Sequence, residues 1–234
     1  MASETARAED HLAEVRRRLV GAALPHVVFD GWSRATLSLA VRETGIDESM
    51  ARLAFPRGGV DMALEFHRQA DRQLEAELAR TDLASMRVRD RITHCVRRRI
   101  ELVAGHREAV RRGATLLALP AYAAEGARAI WETADIIWTA CGDTATDYNW
   151  YTKRAILASV YSATVLYWLG DDSPGYGGTW EFLDRRIEDV MRFEKTKGII
   201  EDNPLARAAF WGPRQILSMV RAPGAPRGRG PGRA

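Results

Sequence analysis

The side chains that could do chemistry are few and widely spaced in this chain of 234 residues. Its two cysteines, Cys95 and Cys141, are too far apart to form a Cys-x-x-Cys redox or zinc pair. No His-x-x-x-His pair occurs among the five histidines, at positions 11, 26, 67, 94 and 106. Glu-x-x-His, which di-iron carboxylate bundles need twice, is also absent. We therefore expect no metal, no cofactor and no catalytic residue, although isomerase or lyase chemistry on scattered Asp and His remains an open alternative.

Two further patterns have simpler structural interpretations. Asp171 and Asp172 are adjacent carboxylates in a Gly-Asp-Asp-Ser-Pro turn, and we expect them to cap a helix end rather than share a proton. Gly-x-Gly occurs in the arginine-rich C-terminal tail, where no strand precedes it. Nucleotide binding by a glycine-rich loop is therefore not expected.

Composition favours one all-helical domain, and it predicts that any membrane contact is peripheral. Hydrophobic residues make up 46% of the chain, and Ala, Leu, Arg and Glu recur at spacings of three and four. The net charge is only +3, and no apolar run approaches the roughly 20 residues that span a bilayer. The first ten residues contain three acids, unlike a secretory signal or transit peptide. We expect a bacterial cytoplasmic protein peripheral to the inner membrane, with an organellar mature form as the weaker alternative.

The N-terminal part, residues 5–58, is predicted to form a helix-turn-helix pattern. A first helix is expected over about residues 5–23, ending before Pro25, with 25–31 as an irregular connector. Ser33 is the expected N-cap of a second helix that ends near Gly45, and Asp47 is the expected cap of a third. This order is typical of TetR-type repressors.

A ligand-responsive TetR-type transcription regulator is accordingly an alternative function. Its recognition helix would need donors directed at phosphates and base edges. Residues 47–53 offer one arginine, Arg52, against the two acids Asp47 and Glu48. We therefore expect no nucleic acid among the partners.

The larger part, residues 59–198, is predicted to be a bundle of long helices. Their expected ranges are 60–80, 86–104, 107–118, 124–141, 147–169 and 179–197. The 147–169 helix is apolar on every side, which indicates that it lies in the core or faces a lipid or a second subunit. One stripe on it consists of Leu157, Tyr161, Thr164 and Trp168.

The C-terminal region is predicted to consist of a linker and an amphipathic helix at 199–222, followed by a disordered basic tail at 223–234. Asn203-Pro204 is a suitable helix start, and the charges after it are all arginine. Aromatic and aliphatic residues combined with arginine are typical of a helix lying in the headgroup region, although a terminal helix docked on the core is the alternative. The expected membrane-binding residues are Leu205, Phe210, Trp211, Ile216, Leu217 and Val220.

The least ordinary segment is residues 142–154, Gly-Asp-Thr-Ala-Thr-Asp-Tyr-Asn-Trp-Tyr-Thr-Lys-Arg. It is followed by Asp172-Ser173-Pro174 and by Thr179-Trp180, and preceded by Leu24-Pro25-His26-Val27, Gly31-Trp32 and Leu119-Pro120. In these segments the chain resembles the lipid-binding accessory proteins of ubiquinone biosynthesis, the family of the ninth Coq protein. The resemblance covers roughly residues 19–197.

The resemblance implies a TetR-like fold without a repressor role, an apolar lipid cavity and a docking patch for the demethoxyubiquinone hydroxylase. Asp147, Trp150 and Tyr151 correspond to the docking segment, and Arg154 to an arginine that contacts a lipid head group. Arg154 suits that role because a guanidinium binds phosphate in bidentate fashion. The expected cavity walls are Leu116, Leu117, Ile130, Ile137 and Leu157, for each of which core packing is an equal alternative.

The sequence therefore predicts a membrane-associated accessory protein that is not an enzyme. It is expected to bind isoprenoid quinone intermediates and phospholipid, to present the quinone to the hydroxylase, and to form a homodimer, as is common for the fold class.

Overall fold

The computed structural model describes the backbone of residues 2–201 and the side chains of residues 5–192. This described part forms nine α-helices and no strand, which confirms the predicted all-helical class. The helices are α1 (Ala2–Asp30), α2 (Arg34–Thr44), α3 (Glu48–Ala54), α4 (Gly59–Leu78), α5 (Val88–Glu101), α6 (Arg107–Leu117), α7 (Ala123–Ala140), α8 (Tyr148–Gly170) and α9 (Gly177–Glu201). Single 3₁₀ turns at Ala104–His106 and Pro174–Tyr176 precede α6 and α9.

The chain divides into two compact units. The described part of the first unit is residues 2–82 and 94–133, and that of the second is residues 83–93 and 134–201. In the first unit α1 contacts α2, α3, α4 and α6, and in the second α8 packs along α9. The two cysteines are buried and form no disulfide, and Cys95 belongs to the first unit and Cys141 to the second.

Local capping chemistry sets the ends of α2 and α3 as the sequence predicted. Ser33 adopts an extended conformation, and its hydroxyl accepts a hydrogen bond from the Thr36 amide at 3.1 Å. Gly45 ends α2 in the left-handed region, with φ of 65°. Asp47 caps α3 by accepting the Ser49 amide at 2.7 Å. These interactions satisfy amides and carbonyls that a helix end leaves without partners.

The predicted end of the first helix was wrong, because α1 continues through Pro25 to Asp30. Proline lacks an amide hydrogen, so the carbonyl of Gly21 loses its usual helical donor, at a cost of about 3 kcal/mol. The residues around it compensate by packing, since Leu19, Val20, Ala23 and Val27 are at most 1% exposed. Burial of one large aliphatic side chain contributes about 2 kcal/mol, so several together outweigh the local penalty.

Trp32 anchors the core of the first unit just beyond α1. Its indole Nε1 donates to the Ala109 carbonyl at 2.9 Å, and its ring packs against Phe66. The backbone of Trp32 also lies against Gly59, where an added Cβ would be 2.1 Å from the Trp32 carbonyl oxygen. This close approach explains the glycine at the start of α4.

A buried ionic cluster, which we call the Asp71 cluster, connects α4, α5 and α7 inside the first unit. Arg99 Nε donates to Asp71 at 2.6 Å, and Thr133 Oγ1 donates to the same carboxylate at 3.0 Å. His67 Nε2 lies 3.3 Å from Asp71. Burial raises the pKa of Asp71, but the hydrogen bond and charge of His67, together with Arg99, outweigh it and lower the pKa to about 2. The carboxylate therefore stays ionised at neutral pH.

In the second unit, the predicted stripe of α8 forms the buried face of the helix. Leu157, Tyr161, Thr164 and Trp168 are all at most 5% exposed. Asp171 follows α8, and its carboxylate accepts the Thr179 amide at 2.7 Å and the Ser173 amide at 2.9 Å. Hydrogen bonds from Ser173 and Thr179 hold the pKa of Asp171 well below its usual range. Asp171 thus caps the start of α9, as predicted.

Helix α9 is longer at its C-terminus than the sequence predicted. Its backbone is helical to Glu201, so residues 199–201, which were expected in the linker, belong to the helix. Gly198 lies inside this helix, and a single glycine costs a helix interior only about 1 kcal/mol. The first proline after it occurs only at position 204. The other predicted elements of the C-terminal region lie outside the described residues.

Candidate functional site

The segment between α7 and α8 is fixed at its first end by a helix-ending hydrogen-bond pattern. The Gly142 amide donates to the Thr139 carbonyl and the Asp143 amide to the Trp138 carbonyl, both at 3.0 Å. These are the two bonds of a Schellman motif, in which the residue after the helix adopts the left-handed conformation. Gly142 has φ of 81°, which glycine adopts without a steric penalty. The motif places Asp143 at a fixed point beside α8.

Asp147 fixes the other end of this segment as the N-cap of α8. Its carboxylate accepts the Asn149 amide at 3.0 Å, and the Asn149 side chain donates to its second oxygen at 3.0 Å. The first turn of α8 carries Trp150 and Tyr151, both half-buried, while Asp147 is exposed. The rings of the tryptophan and the tyrosine meet edge to face, with centroids 4.8 Å apart. The structure therefore brings the three predicted docking residues together at the start of α8.

Arg154 lies one turn further along α8 and is almost fully buried, with 2% of the residue exposed. Its Nε donates to Asp135 at 2.5 Å and its Nη1 to Asp143 at 3.0 Å. Nη1 also donates to the Trp150 carbonyl at 3.1 Å, and the guanidinium carbon lies 4.0 Å from the centroid of the Trp150 ring. In this conformation the guanidinium donates its hydrogen bonds to groups of its own unit.

Lys153 adds a second cation to the carboxylate of Asp143. Its ammonium donates to Asp143 at 2.7 Å and lies 5.3 Å from the centroid of the Trp138 ring. The Trp138 indole in turn donates to the Lys153 carbonyl at 3.0 Å. Burial raises the pKa of Asp143, but hydrogen bonds from Lys153 and Arg154 outweigh it and lower the pKa. One carboxylate thus connects two consecutive basic residues of α8 to the end of α7.

Sequence reasoning assigned no role to Asp135, Asp143 or Lys153. Asp143 and Lys153 lie within the distinctive 142–154 segment, so the segment itself was the available signal. Asp135 lies 19 positions before Arg154. Its pairing depends on the packing of α7 against α8, which no local pattern in the chain reveals.

The predicted lipid-cavity residues do not all occur in one unit. Leu116 and Leu117 pack against the cluster of Val60, Leu64 and Ala129 in the first unit. Ile130 is also a residue of the first unit. Ile137 and Leu157 are buried in the second unit. Leu116 also lines an open cleft of about 420 Å³ with Trp32, Leu119, Arg111 and Arg112. The assignment of these residues and of Arg154 to a lipid stays a prediction.

The described residues add two negative findings. Within residues 5–192 no group of three or more His, Cys, Asp or Glu side chains is arranged to hold a metal ion. None of the helices between residues 2 and 201 is both long and apolar enough to cross a bilayer. The six predicted membrane-binding residues, Leu205, Phe210, Trp211, Ile216, Leu217 and Val220, lie outside the described part of the chain.

Comparison with solved structures places this architecture in a known class. The chain is similar to a TetR transcriptional regulator from Nitrosomonas europaea, with a TM-score of 0.63 over 75% of this chain and 97% of that chain. Their sequences are only 17% identical, so the similarity concerns the fold alone. The protein therefore has a TetR-like helical fold, as predicted.

Sequence comparison then shows which known proteins the chain is similar to. Residues 123–194, which contain the whole α7–α8 segment, match the COQ9 family. The chain is 32% identical over 214 residues to the mitochondrial ubiquinone biosynthesis protein COQ9 of Drosophila melanogaster, covering 88% of this chain and 65% of that protein. It is 29% identical to the human COQ9 protein, covering 80% of this chain and 62% of that protein. Residues 123–194 thus match the COQ9 family, and most of the chain is similar to COQ9 proteins, although it spans a little under two thirds of the length of these relatives.

Proposed function

We propose that this chain is a non-enzymatic accessory protein of ubiquinone biosynthesis. In this proposal it binds isoprenoid quinone intermediates and phospholipid, contacts the membrane peripherally, and presents the quinone to the demethoxyubiquinone hydroxylase. The relatives from Drosophila melanogaster, rat and human are all named ubiquinone biosynthesis proteins, which supports the pathway. The observation that carries the proposal is the fixed segment 142–154 within the matched COQ9 region.

The first turn of α8 has the properties of a protein-docking surface. Trp150 and Tyr151 stand together in perpendicular orientation beside the exposed carboxylate of Asp147. Partly exposed tryptophan and tyrosine next to charged groups are typical of the residues that dominate binding energy in interfaces. The partner surface would therefore supply an apolar recess for two rings and a cation opposite Asp147.

Lipid binding is supported by the composition of the helical body and the C-terminal region. Each CH₂ group that an isoprenoid chain buries contributes about 0.8 kcal/mol, so even partial uptake of the chain provides useful affinity. Arginines combined with Phe210 and Trp211 suit a segment that attaches to anionic headgroups. For Arg154 to bind a phosphate, its guanidinium would have to exchange Asp135 or Asp143 for the lipid.

The expected homodimer is supported by an apolar surface on α8 and α9. Leu166 is 66% exposed and Tyr167 is 42% exposed, and Tyr167 stacks on Phe182 of α9 with ring centroids 4.7 Å apart. Large exposed apolar residues that lie close together are typical of interaction surfaces. A second copy that covered this surface would remove it from water.

A TetR-type transcription regulator is the second candidate, because the fold is shared with such a protein. The surface of α3 weighs against it. Arg52 donates to Glu48 at 3.2 Å, so this arginine is engaged by a neighbouring acid on the same helix. Asp47 and Glu48 would also repel the phosphate backbone of DNA.

The test is native mass spectrometry with lipid extraction on the full chain purified from cells, beside a chain shortened after Glu201. We expect prenylated quinones or phospholipids on both proteins, and liposome flotation by the full chain alone. Pull-down of the hydroxylase should succeed with the full chain and fail with the Trp150→Ala variant. A protein that carries no lipid, does not bind the hydroxylase and retards a specific DNA fragment in a gel would instead be a transcription regulator.

A further inference from the structure

The aromatic pair at the start of α8 is held in place by a chain of contacts that begins at the end of α7. The Schellman motif at Gly142 fixes the backbone of Asp143, and the carboxylate of Asp143 then binds Lys153 and Arg154. The side chain of Asp143 is only 2% exposed. Its position is thus set by backbone geometry, and its charge is shielded from water.

The Arg154 guanidinium transmits this position to the ring of Trp150. Two carboxylates, Asp143 and Asp135, hold the guanidinium from two directions. The bonds are made by two different nitrogens, Nε and Nη1, so the planar cation is restricted in position, and its central carbon lies 4.0 Å from the centroid of the Trp150 ring. Tyr151 then rests edge to face against that ring. Each group in the series Asp143, Arg154, Trp150 and Tyr151 therefore restricts the next.

From this geometry we propose that Asp143 is a positioning residue, which acts through Arg154 to hold Trp150 and Tyr151 in the orientation that the partner protein binds. The inference rests on the proposed docking function of this segment and deepens it. An interface of this kind binds more tightly when its aromatic side chains are ordered before the partner arrives, because less conformational entropy is then lost on binding. The proposal also gives Arg154 an internal role in place of a lipid contact.

The direct test is Asp143→Asn in the full chain. The control is Asp184→Asn, at an exposed position on α9. Loss of the carboxylate charge should loosen Arg154, so the hydroxylase should bind about tenfold more weakly, as expected when two aromatic side chains must be ordered on binding. Asp184→Asn makes the same chemical change on the same unit and should leave the dissociation constant unchanged. Because Asp143 is buried, Asp135→Asn provides a second variant that is milder for stability, since Asp135 is 44% exposed. It removes the other carboxylate that holds Arg154, so it should also weaken hydroxylase binding.

A spectroscopic measurement on the chain alone separates positioning from general stability. The contribution of Trp150 to near-ultraviolet circular dichroism is the difference between the wild type and Trp150→Phe. This difference should weaken when both proteins also carry Asp143→Asn, and it should persist when both carry Asp184→Asn. The binding loss caused by Asp143→Asn should likewise largely disappear when Trp150→Phe is already present, because coupled residues are not additive.

Two results would overturn the inference in different ways. An unchanged Trp150 signal in Asp143→Asn, with equal binding losses in the presence and absence of Trp150→Phe, would reduce Asp143 to a purely structural residue. Normal hydroxylase binding by Trp150→Ala would instead show that the docking function itself is wrong. In that case Asp143 would order the Trp150 ring, but the hydroxylase would not bind that ring, even if the circular dichroism changes as expected.

Discussion

Burial changes what a charged residue is able to do, and Arg154 is the clearest case in this chain. A surface arginine with its donors facing water is suited to a phosphate, whereas Arg154 is 2% exposed and bonded to two carboxylates. Removing one partner of a buried pair leaves an uncompensated charge, which destabilises a protein more than losing the pair as a whole. The resemblance implied a lipid contact, whereas the carboxylates that favour another role come from α7 and from the segment that follows it.

The Asp71 cluster predicts a specific pH dependence of stability. The pKa of Asp71 is about 2 in the folded chain, against an ordinary value of 3.8. Because the folded value is the lower one, the carboxylate stabilises the fold above about pH 4, and this contribution is lost as the pH falls towards 2. The shift corresponds to about 2 kcal/mol. In urea denaturation, the stability difference between wild type and Asp71→Asn should shrink by about that amount across this range.

The control for this prediction is Asp184→Asn, which makes the same chemical change at an exposed position on α9. A stability difference between wild type and Asp71→Asn that remained constant down to about pH 2 would contradict a depressed pKa at Asp71.

Replacement of Gly59 by alanine is predicted to destabilise the fold through a clash with one backbone atom. In Gly59→Ala the new methyl group would meet the Trp32 carbonyl oxygen at 2.1 Å, so the start of α4 has to move away from Trp32. We expect a loss of about 3 kcal/mol in the free energy of unfolding, near the upper end of overpacking effects. Gly21→Ala is the matched control, since its Cβ would have nothing within 4 Å and alanine favours the helix. Equal melting temperatures for the two variants would argue against the close contact.

At the scale of helices, the parts that the sequence predicted correctly are those that depend on neighbouring residues. Ser33, Gly45 and Asp47 act within three or four positions, so their capping roles followed from residue type and spacing. Pro25 was misjudged because the packing of α1 against the first unit outweighs a local preference. The Asp71 cluster was not predicted at all. His67 is four positions from Asp71, but the other partners, Arg99 and Thr133, are 28 and 62 positions away, and nothing local marks these two as neighbours.

At the scale of helices, the glycine that ends α7 is predicted to contribute to stability. Gly142→Ala should destabilise the chain by about 1 kcal/mol, because φ of 81° is unfavourable for a residue with a Cβ. Gly142→Asn should be milder, since asparagine tolerates the left-handed region better. Urea denaturation measures both. If the alanine variant were as stable as the wild type, the Schellman motif would not constrain this segment as described.

At the scale of the whole molecule, the sequence predicted the fold class and most of the helix ranges, but not which residues form each of the two units. Helix ranges follow from the periodicity of apolar residues and from punctuation by glycine and proline. The division depends on which helices pack together, and α5 and α7 each contribute residues to both units. For the same reason, Leu116 and Ile137 were predicted to line one cavity although they belong to different units.

The proposed dimer gives a prediction for the assembly. Leu166→Glu should raise the dissociation constant of the dimer at least about tenfold, because burial of a leucine contributes about 2 kcal/mol and a charge opposes burial. Light scattering across a dilution series measures this. Leu53→Glu is the control, since Leu53 is similarly exposed, at 61% against 66%, but lies on α3. Equal effects of the two substitutions would show that the surface of α8 and α9 is not the interface.

The placement of the two cysteines supplies a readout for opening of the molecule. Cys95 is 0% exposed in the first unit and Cys141 is 8% exposed in the second, so an alkylating reagent reaches either thiol only when its surroundings open. The single-cysteine variants Cys95→Ser and Cys141→Ser would each report on one unit. Identical labelling rates would mean that the two units open in one cooperative step. Different rates would mean that one unit stays closed while the other opens to solvent. Binding of the proposed hydroxylase partner at the start of α8 would then slow the labelling of Cys141 but not that of Cys95.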